Sequence, residues 1–212
     1  MCARADAATL PPRPLAFLWT ETFITITELS PPAGEPLTLA EAKAHMRVEH
    51  NAEDDLISAL VRTVRQHLER DTGLVTMTRG YRVYLDDWPE DGVIRIARAP
   101  VRTIEAVTVH DDAGLPQEID ASGFVLDGAV LPARLILTRQ PAPSRAVNGI
   151  EIDFTAGFGA TGAEVPDGLK RAMLLHLGLL YDFRGAVSID DQPAAIPAGY
   201  ERLVSPYRCR RI

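Results

Sequence analysis

A glycine-rich run between a predicted strand and a predicted helix is the first place in this sequence to look for chemistry. Gly157, Gly159 and Gly162 match the G-x-G-x-x-G pattern of dinucleotide-binding loops. In such loops the third glycine lies inside a helix, so that the pyrophosphate meets the helix N-terminus. Here Pro166 places the helix start later, and the preceding strand belongs to an antiparallel run instead of a βαβ unit. We therefore interpret the run as a flexible strand-to-helix loop and predict no cofactor.

The histidines and cysteines are the residues from which a metal or acid–base site would be built. No two histidines have zinc-ligand spacing on one helix face, and neither Cys2 nor Cys209 lies near a histidine in sequence. His176 falls on an apolar helix, where a core or interface histidine is expected. His110 precedes two aspartates, which a solvated turn explains better than proton transfer. The sequence thus predicts no catalytic and no metal-binding residue. The five histidines are His45, His50, His67, His110 and His176.

An acidic cluster falls in a predicted turn at Asp86, Asp87, Glu90 and Asp91. Several carboxylates at close range could hold Ca²⁺, but the spacing is not that of a calcium-binding hand and Pro89 interrupts it. We expect a solvated loop. A second interpretation is an acidic lining along which DNA slides because like charges repel.

The last six residues form a basic segment with an aromatic start on an acidic protein. Tyr207 is followed by Arg208, Arg210 and Arg211, with no acidic residue among them. These side chains could grip phosphate. They could instead enter a groove of a partner protein, with Tyr207 as the anchor and the arginines paired to carboxylates. A frayed terminus is the third interpretation.

Composition limits the classes of protein to which the chain can belong. With 212 residues and 46% hydrophobic residues, it is long enough for one folded domain, alone or with an insertion. The net charge of −7 argues against a general nucleic-acid coat. No apolar run approaches the ~18 residues of a membrane span, and we expect no signal peptide. Two cysteines make no disulfide framework, which favours a reducing, cytosolic origin.

Two helices and a polar corner are predicted between residues 37 and 73. Thr38 and Glu41 have the spacing of a capping box at the start of the short helix. Asn51 is expected to cap the long helix, and Gly73 to end it in a left-handed conformation. One apolar stripe then runs along one face of the long helix. Its residues are Ile57, Leu60, Val61, Val64 and Leu68.

After Gly73 the hydrophobic period changes from that of a helix to that of a strand. Short alternating runs are separated by turn residues from residue 81 to residue 154, which predicts an antiparallel meander. Another strand is predicted near residues 23–28. A second long helix is expected from Pro166 to about Arg184, with Gly185 after it. Because this helix is apolar on most sides, it should pack on the first helix and on a neighbouring subunit.

The predicted fold class is α+β: a helical bundle scaffold of two long helices plus short helices, with an inserted antiparallel β meander and extended N- and C-terminal tails. We divide the chain into an N-terminal extension with a strand (1–36), a helical core (37–78 and 165–204), a β-rich insertion (79–160) and a C-terminal tail (205–212).

Three segments of the sequence resemble the head-tail connector, or portal adaptor, proteins of tailed phages and gene transfer agents. The first has the family's pattern of Leu-Thr-Leu-x-Glu-Ala-Lys followed by an acidic pair, at residues 37–57, with Met46 in place of the usual Leu. The second is the helix that contains Val165, Pro166 and Tyr181. The third is the ending with Leu203, Pro206, Tyr207 and Arg208.

The resemblance implies a structural protein without enzymatic activity. Such adaptors assemble as a ring, commonly a dodecamer, beneath the portal of the capsid. They extend the DNA channel and provide a platform for the next head-completion or tail protein. The implied partners are the portal protein, a downstream head-completion or tail protein, other copies of the chain, and double-stranded DNA that passes without sequence-specific binding. No membrane is involved. The implied location is the head-tail junction of a virion or gene transfer agent particle made in the bacterial cytoplasm.

The resemblance also assigns roles to residues. The C-terminal segment of the family docks on the portal, which implies portal binding here by Pro206, Tyr207, Arg208, Arg210 and Arg211. Packing in the core and between subunits is expected from Leu60, Val64, Leu68, Leu169, Met173, Leu177 and Leu180. The β meander would face outward or toward the tail. The alternative function is a DNA-binding or packaging-associated module that uses the basic C-terminal tail.

Overall fold

Four helices, counted over the described residues, form one side of the fold. The computed structural model describes residues 24–111, 113–120, 123–138, 141, 143, 145–183 and 196–208. Within these ranges the helices are α1 (Leu39–Met46), α2 (Asp54–Thr72), α3 (Asp167–Asp182) and α4 (Tyr200–Val204). Short 3-10 turns occur at Gly162–Glu164 and Ser205–Tyr207. Among the helices described, none is both long and apolar enough to cross a membrane.

The caps of the first two helices were partly predictable. The capping box of α1 is confirmed, because Thr38 Oγ1 accepts from the Glu41 backbone N–H at 3.1 Å and the Glu41 carboxylate accepts from the Thr38 N–H at 2.8 Å. Gly73 ends α2 with a φ of 75°, as predicted. The predicted cap at Asn51 is wrong. Glu53 is the cap residue, and the Asn51 side chain accepts from Lys43 Nζ at 2.6 Å instead.

The second long helix begins after Pro166, as the sequence indicates, and α3 ends at Asp182. Arg184 and Gly185, where we expected this helix to stop, lie outside the described residues.

In the part of the chain that the structure describes, eight strands form two antiparallel sheets. The strands are β1 (Ile24–Glu28), β2 (Arg79–Leu85), β3 (Val93–Ile96), β4 (Val101–His110), β5 (Pro116–Glu118), β6 (Phe124–Asp127), β7 (Ala133–Leu137) and β8 (Ile150–Ala156). One sheet has five strands in the order β1-β2-β8-β4-β5, and the other has three in the order β3-β7-β6. The predicted strand near residues 23–28 is observed as β1, which pairs with β2 at the sheet edge.

The expected helical bundle with an inserted meander is wrong, although the class α+β is right. The strand order is not that of a meander, because β8 pairs with both β2 and β4. The two sheets also bury a core of their own, to which the five-stranded sheet contributes Val83 and Ile152 and the three-stranded sheet Ile94 and Leu135. A two-helix scaffold therefore does not describe the fold, since the sheets hold a hydrophobic core beside that of the helices.

The helices enclose the other hydrophobic core. The apolar stripe of α2 faces α3, and Tyr200 and Val204 of α4 are fully buried beside them. Burial of this kind stabilises a helix far more than its intrinsic propensity. The buried residues from the helices are Ala42, Ile57, Val61, Val64, Leu68, Leu169, Ala172, Met173, Leu177, Tyr181, Tyr200 and Val204.

A buried ion cluster connects the helical side of the fold to the sheet. Glu69 of α2 accepts from Arg79 Nη2 of β2 at 2.8 Å and from Arg65 Nη1 at 2.9 Å. The Thr76 backbone N–H and hydroxyl also donate to Glu69, at 2.9 and 2.6 Å. Burial opposes ionisation of Glu69, but hydrogen bonds from Arg79 and Thr76 outweigh it and hold the pKa of Glu69 below its ordinary value.

Candidate interaction site at the C-terminal segment

Three of the five predicted portal-binding residues lie together at the end of the described chain. Pro206 and Tyr207 belong to the 3-10 turn after α4, and Arg208 follows it directly. Pro206 has no backbone N–H to donate, so it cannot continue an ordinary α-helix, and the 3-10 turn begins here. Arg210 and Arg211 lie outside the described residues.

This segment is fixed to the fold by α4. Tyr200 and Val204 are fully buried in the helical core, so one turn before the 3-10 turn the chain is already anchored. Tyr207 packs against the same core and comes close to Gly168 in the first turn of α3. A Cβ added at Gly168 would lie 3.4 Å from the Tyr207 hydroxyl, in van der Waals contact with that side chain.

Arg208 is paired within its own chain. Its Nη1 donates to Glu201 Oε2 at 2.6 Å, and its Nη2 donates to Asp71 in the last turns of α2. A second bond from Nη2 reaches Glu201 Oε1 at 3.2 Å. The hydrogen bond to Asp71 is the main cause that raises the pKa of Arg208 above its ordinary value, and the hydrogen bond to Glu201 adds to it. Partial burial lowers the pKa by a smaller amount. The guanidinium thus joins α4 to the end of α2.

A partly apolar cleft of about 480 Å³ opens beside the segment. Part of its lining comes from the 3-10 turn, and part from the β-rich side, including Leu131 and Phe158. Val130 at its edge is 38% exposed. The cleft is lined by Leu74, Ala99, Pro100, Ala129, Val130, Leu131, Phe158, Pro206, Tyr207 and Arg208.

The residues predicted to pack in the core or between subunits differ in burial. Leu60 and Leu180 are half-buried and contact the helical core from its edge. The other five are fully buried in that core. Whether any of them contacts a second subunit stays a prediction. The five are Val64, Leu68, Leu169, Met173 and Leu177.

A cluster of three rings lies beneath the C-terminal segment. His176 of α3 packs edge-on against His67 of α2, with ring centroids 4.8 Å apart, and both rings contact Tyr200 of α4. Burial, and then the charge of His67, lowers the pKa of His176. The pKa of Tyr200 is raised to about 12, mainly by burial. The sequence indicated a core or interface histidine at His176, and the ring lies in the core.

The polar residues of the first resembling segment hold three helices together. Lys43 of α1 pairs with Asp54 of α2 at 2.7 Å, and Glu41 of α1 pairs with Lys170 of α3 at 2.6 Å. The pKa of Glu41 is lowered to about 2, mainly by the hydrogen bond from Lys170 and next by the hydrogen bond from the Thr38 backbone N–H. Sequence spacing found the capping role of Glu41 but not its partner in α3, which is brought near only by the fold.

The other candidate sites have structural explanations. Close packing explains the glycine-rich loop: Gly157, with a φ of 137°, lies against the Thr78 backbone, and Gly162 lies against the Pro36 carbonyl. In the acidic turn, Asp91 accepts from Arg95 Nη2 at 2.7 Å and Asp86 accepts from the Asn148 backbone N–H at 2.8 Å. Within the described part of the chain, no three His, Cys, Asp or Glu side chains come together where they could hold a metal ion.

Residues 36–122 match the family model described as "Phage gp6-like head-tail connector protein". Three similar chains among solved structures come from gene transfer agent particles. One, in the virion of a native particle, is 28% identical with a TM-score of 0.76, over 88% of this chain and 96% of that chain. The resemblance to head-tail connector proteins is confirmed.

The other two similar chains come from structures of the particle neck. A chain in the neck of an empty particle, computed with C6 symmetry, is 27% identical with a TM-score of 0.76, over 89% of this chain and 97% of that chain. A chain in the neck of a native particle, computed with C12 symmetry, is 27% identical with a TM-score of 0.72, over the same shares of the two chains. No curated protein matches the chain. Head-tail connectors are structural proteins and not a class of enzyme.

Proposed function

We propose that this chain is the subunit of a head-tail connector at the neck of a gene transfer agent or tailed-phage particle. In this role it assembles beneath the capsid portal, extends the DNA channel and provides the platform for the next head-completion or tail protein. The observation that carries the proposal is the similarity in fold and sequence to chains in the neck of gene transfer agent particles, over 89% of this chain and 97% of those chains. The match to the connector family over residues 36–122 supports it independently.

A ring of twelve copies is the assembly we propose. Neck structures of similar chains were computed with C12 and with C6 symmetry. A twelve-fold ring is compatible with both, because a twelve-fold axis contains the six-fold one. Neighbouring subunits in such a ring meet through two different surfaces, since head-to-tail contacts that close produce cyclic symmetry.

The proposed ring contacts lie on the helical side of the fold. We assign residues 37–78 and 165–204, the helical core of the adaptor, to the ring, residues 205–212 to portal docking, and residues 79–160 to a β-rich part that faces outward or toward the tail. Support comes from the separation of the two hydrophobic cores, one in the helices and one between the sheets.

Docking on the portal is assigned to the C-terminal tail. A chain truncated after Arg208 keeps the contacts of Tyr207 and Arg208, so it should fold like the full-length protein. We expect it to lose binding to purified portal rings in a pull-down assay, as should a chain truncated after Val204. Full binding by both truncated chains would refute the docking assignment.

The pairing of Arg208 argues against DNA binding by this residue. Arg208 is paired with two carboxylates of its own chain, so its charge is already neutralised. DNA binding that falls with salt, and that is lost when Arg208, Arg210 and Arg211 are replaced by Ala, would support the DNA-binding module instead.

The decisive test of the whole proposal is made in particles. Deletion of the gene should yield filled heads without tails, and electron microscopy of complete particles should locate twelve copies between portal and tail. Normal head-tail joining in the deletion strain, or absence of the chain from purified particles, would refute the proposal.

A further inference from the structure

Arg208 has a geometry that differs from that of a free docking residue. Its guanidinium is held between Asp71 of α2 and Glu201 of α4, which lie 137 and 7 positions away along the chain. We name these three residues the Arg208 clamp. Charge-assisted bonds of a planar guanidinium to two carboxylates fix direction as well as distance.

The contacts around the clamp restrict the same stretch of backbone. Tyr207 packs on the helical core beside Gly168, and Val204 is fully buried one turn earlier. The side chains of three successive anchors thus point into their own subunit. Because Arg208 already makes ion pairs with two carboxylates of its own chain and remains partly exposed, a further pair with a portal carboxylate would yield little net affinity.

We propose that Arg208 is a positioning residue and not a portal contact: with Asp71 and Glu201 it fixes the direction in which the chain leaves the subunit after residue 208. The inference rests on the proposed docking of the C-terminal tail and specifies how that tail is presented. A tail held in its binding direction loses less conformational freedom on docking than a swivelling one. In a ring, this smaller loss of conformational freedom strengthens docking at every subunit.

The first test needs no partner. Cys209 directly follows the clamp, so a fluorophore on this residue, in a Cys2→Ser background, reports rotation of the tail. We expect lower dye anisotropy in Arg208→Ala and in the double variant Asp71→Asn/Glu201→Gln. The matched control is Arg202→Ala, which removes an exposed arginine of α4 and should leave anisotropy at the wild-type value. Unchanged anisotropy in both clamp variants would overturn the proposal.

The second test separates positioning from direct contact. Affinity for purified portal rings should fall about tenfold in Arg208→Ala, within the range of coupling between two sites, and by a similar factor in Asp71→Asn/Glu201→Gln. The double variant keeps Arg208 and frees its charge. If Arg208 touched the portal, this variant would bind as well as wild type or better, and that result would overturn the proposal.

Two controls keep the outcomes distinct. Circular dichroism melting identifies any clamp variant that has merely unfolded, and Arg208→Lys, which keeps the charge but not the two-carboxylate fork, should recover only part of the affinity. Truncation after Arg208 tests the docking assignment itself. If that truncation binds the portal normally, docking does not need the residues after Arg208 and the positioning role is refuted, whereas the docking assignment itself is refuted only if the chain truncated after Val204 also binds fully. If the truncation abolishes binding while the double variant binds normally, the clamp proposal alone is overturned.

Discussion

Glu69 shows most clearly how single residues hold this molecule together. It lies on α2, yet its carboxylate accepts hydrogen bonds from Arg79 of β2 and from Thr76 in the connection between them. Arg65 and Arg79 reach further, to Glu35 at 2.7 Å and Glu28 at 3.2 Å. Because Glu28 ends β1 and Glu35 lies in the loop that follows it, the cluster also fastens the start of the described chain.

Removal of the Glu69 carboxylate should destabilise the folded protein. Glu69→Ala leaves Arg65 and Arg79 buried without their shared partner, which we expect to lower the free energy of unfolding by about 3 kcal/mol. This is at the low end for broken buried ion pairs, because Glu35 and Glu28 remain. Urea denaturation measures the effect.

The matched control for this experiment is Glu90→Ala, which removes an exposed glutamate from the acidic turn. Surface substitutions of this kind change stability by less than about 0.5 kcal/mol. Equal stabilities for the two variants would mean that the buried cluster contributes nothing to the folded state.

The same carboxylate should make stability depend on pH. The pKa of Glu69 in the folded protein lies below its ordinary value of 4.5, so the unfolded chain takes up the proton first as pH falls. The stabilisation is therefore complete above pH 4.5 and is lost as pH falls through the folded pKa. Unfolding free energies measured from pH 6 to pH 3 should fall more steeply for wild type than for Glu69→Gln. Parallel curves would contradict this.

Local spacing predicted some residue contacts and could not predict others. Thr38 and Glu41 are three positions apart, so the rule for a capping box identifies them without a fold. The partners of Glu69 and Glu41 are on other elements, at Arg79 and Lys170. Only the assembled structure brings such charges together, and nothing in their sequence spacing marks them.

Helix α2 is the element whose packing followed most directly from its sequence. Its stripe repeats at helical spacing and faces the core, with Leu68 fully buried and Leu60 half-buried near the edge. Leu68→Ala should therefore cost about 3–4 kcal/mol and Leu60→Ala only about 1 kcal/mol. Thermal unfolding of the pair tests the orientation of the helix. Similar losses would mean that the stripe is turned differently.

In the sheets, the sequence pattern predicts the strands but not how they pair. A period of two identified most of the strands, because one face of each strand is buried. It could not identify their partners, and β8 lies between β2 and β4, which precede it by many residues. Such non-local pairing depends on the whole chain, and for this reason the meander and the helical scaffold were wrong while the α+β class was right.

At the scale of the whole molecule, the end of α3 is the surface we expect to be completed by a neighbouring subunit. Phe183 is 41% exposed, and Leu179, one turn earlier on the same face, is half-buried. In a closed ring, each subunit presents one such surface to a different surface of the next. An apolar ridge at that contact would be covered in every copy.

A charge on this ridge should therefore block assembly without unfolding the subunit. We expect Leu179→Asp to stop rings from forming on purified portals, because the aspartate would be buried at each contact without a counter-ion. The control is Arg171→Ala on the same helix, at an exposed position away from the ridge. Mass photometry of portal complexes measures copy number, and circular dichroism shows that each variant is folded. If folded Leu179→Asp still binds the portal in the full number of copies, the subunits must contact each other through another face. The assignment of the ring contacts to the helical side of the fold would then have to be revised.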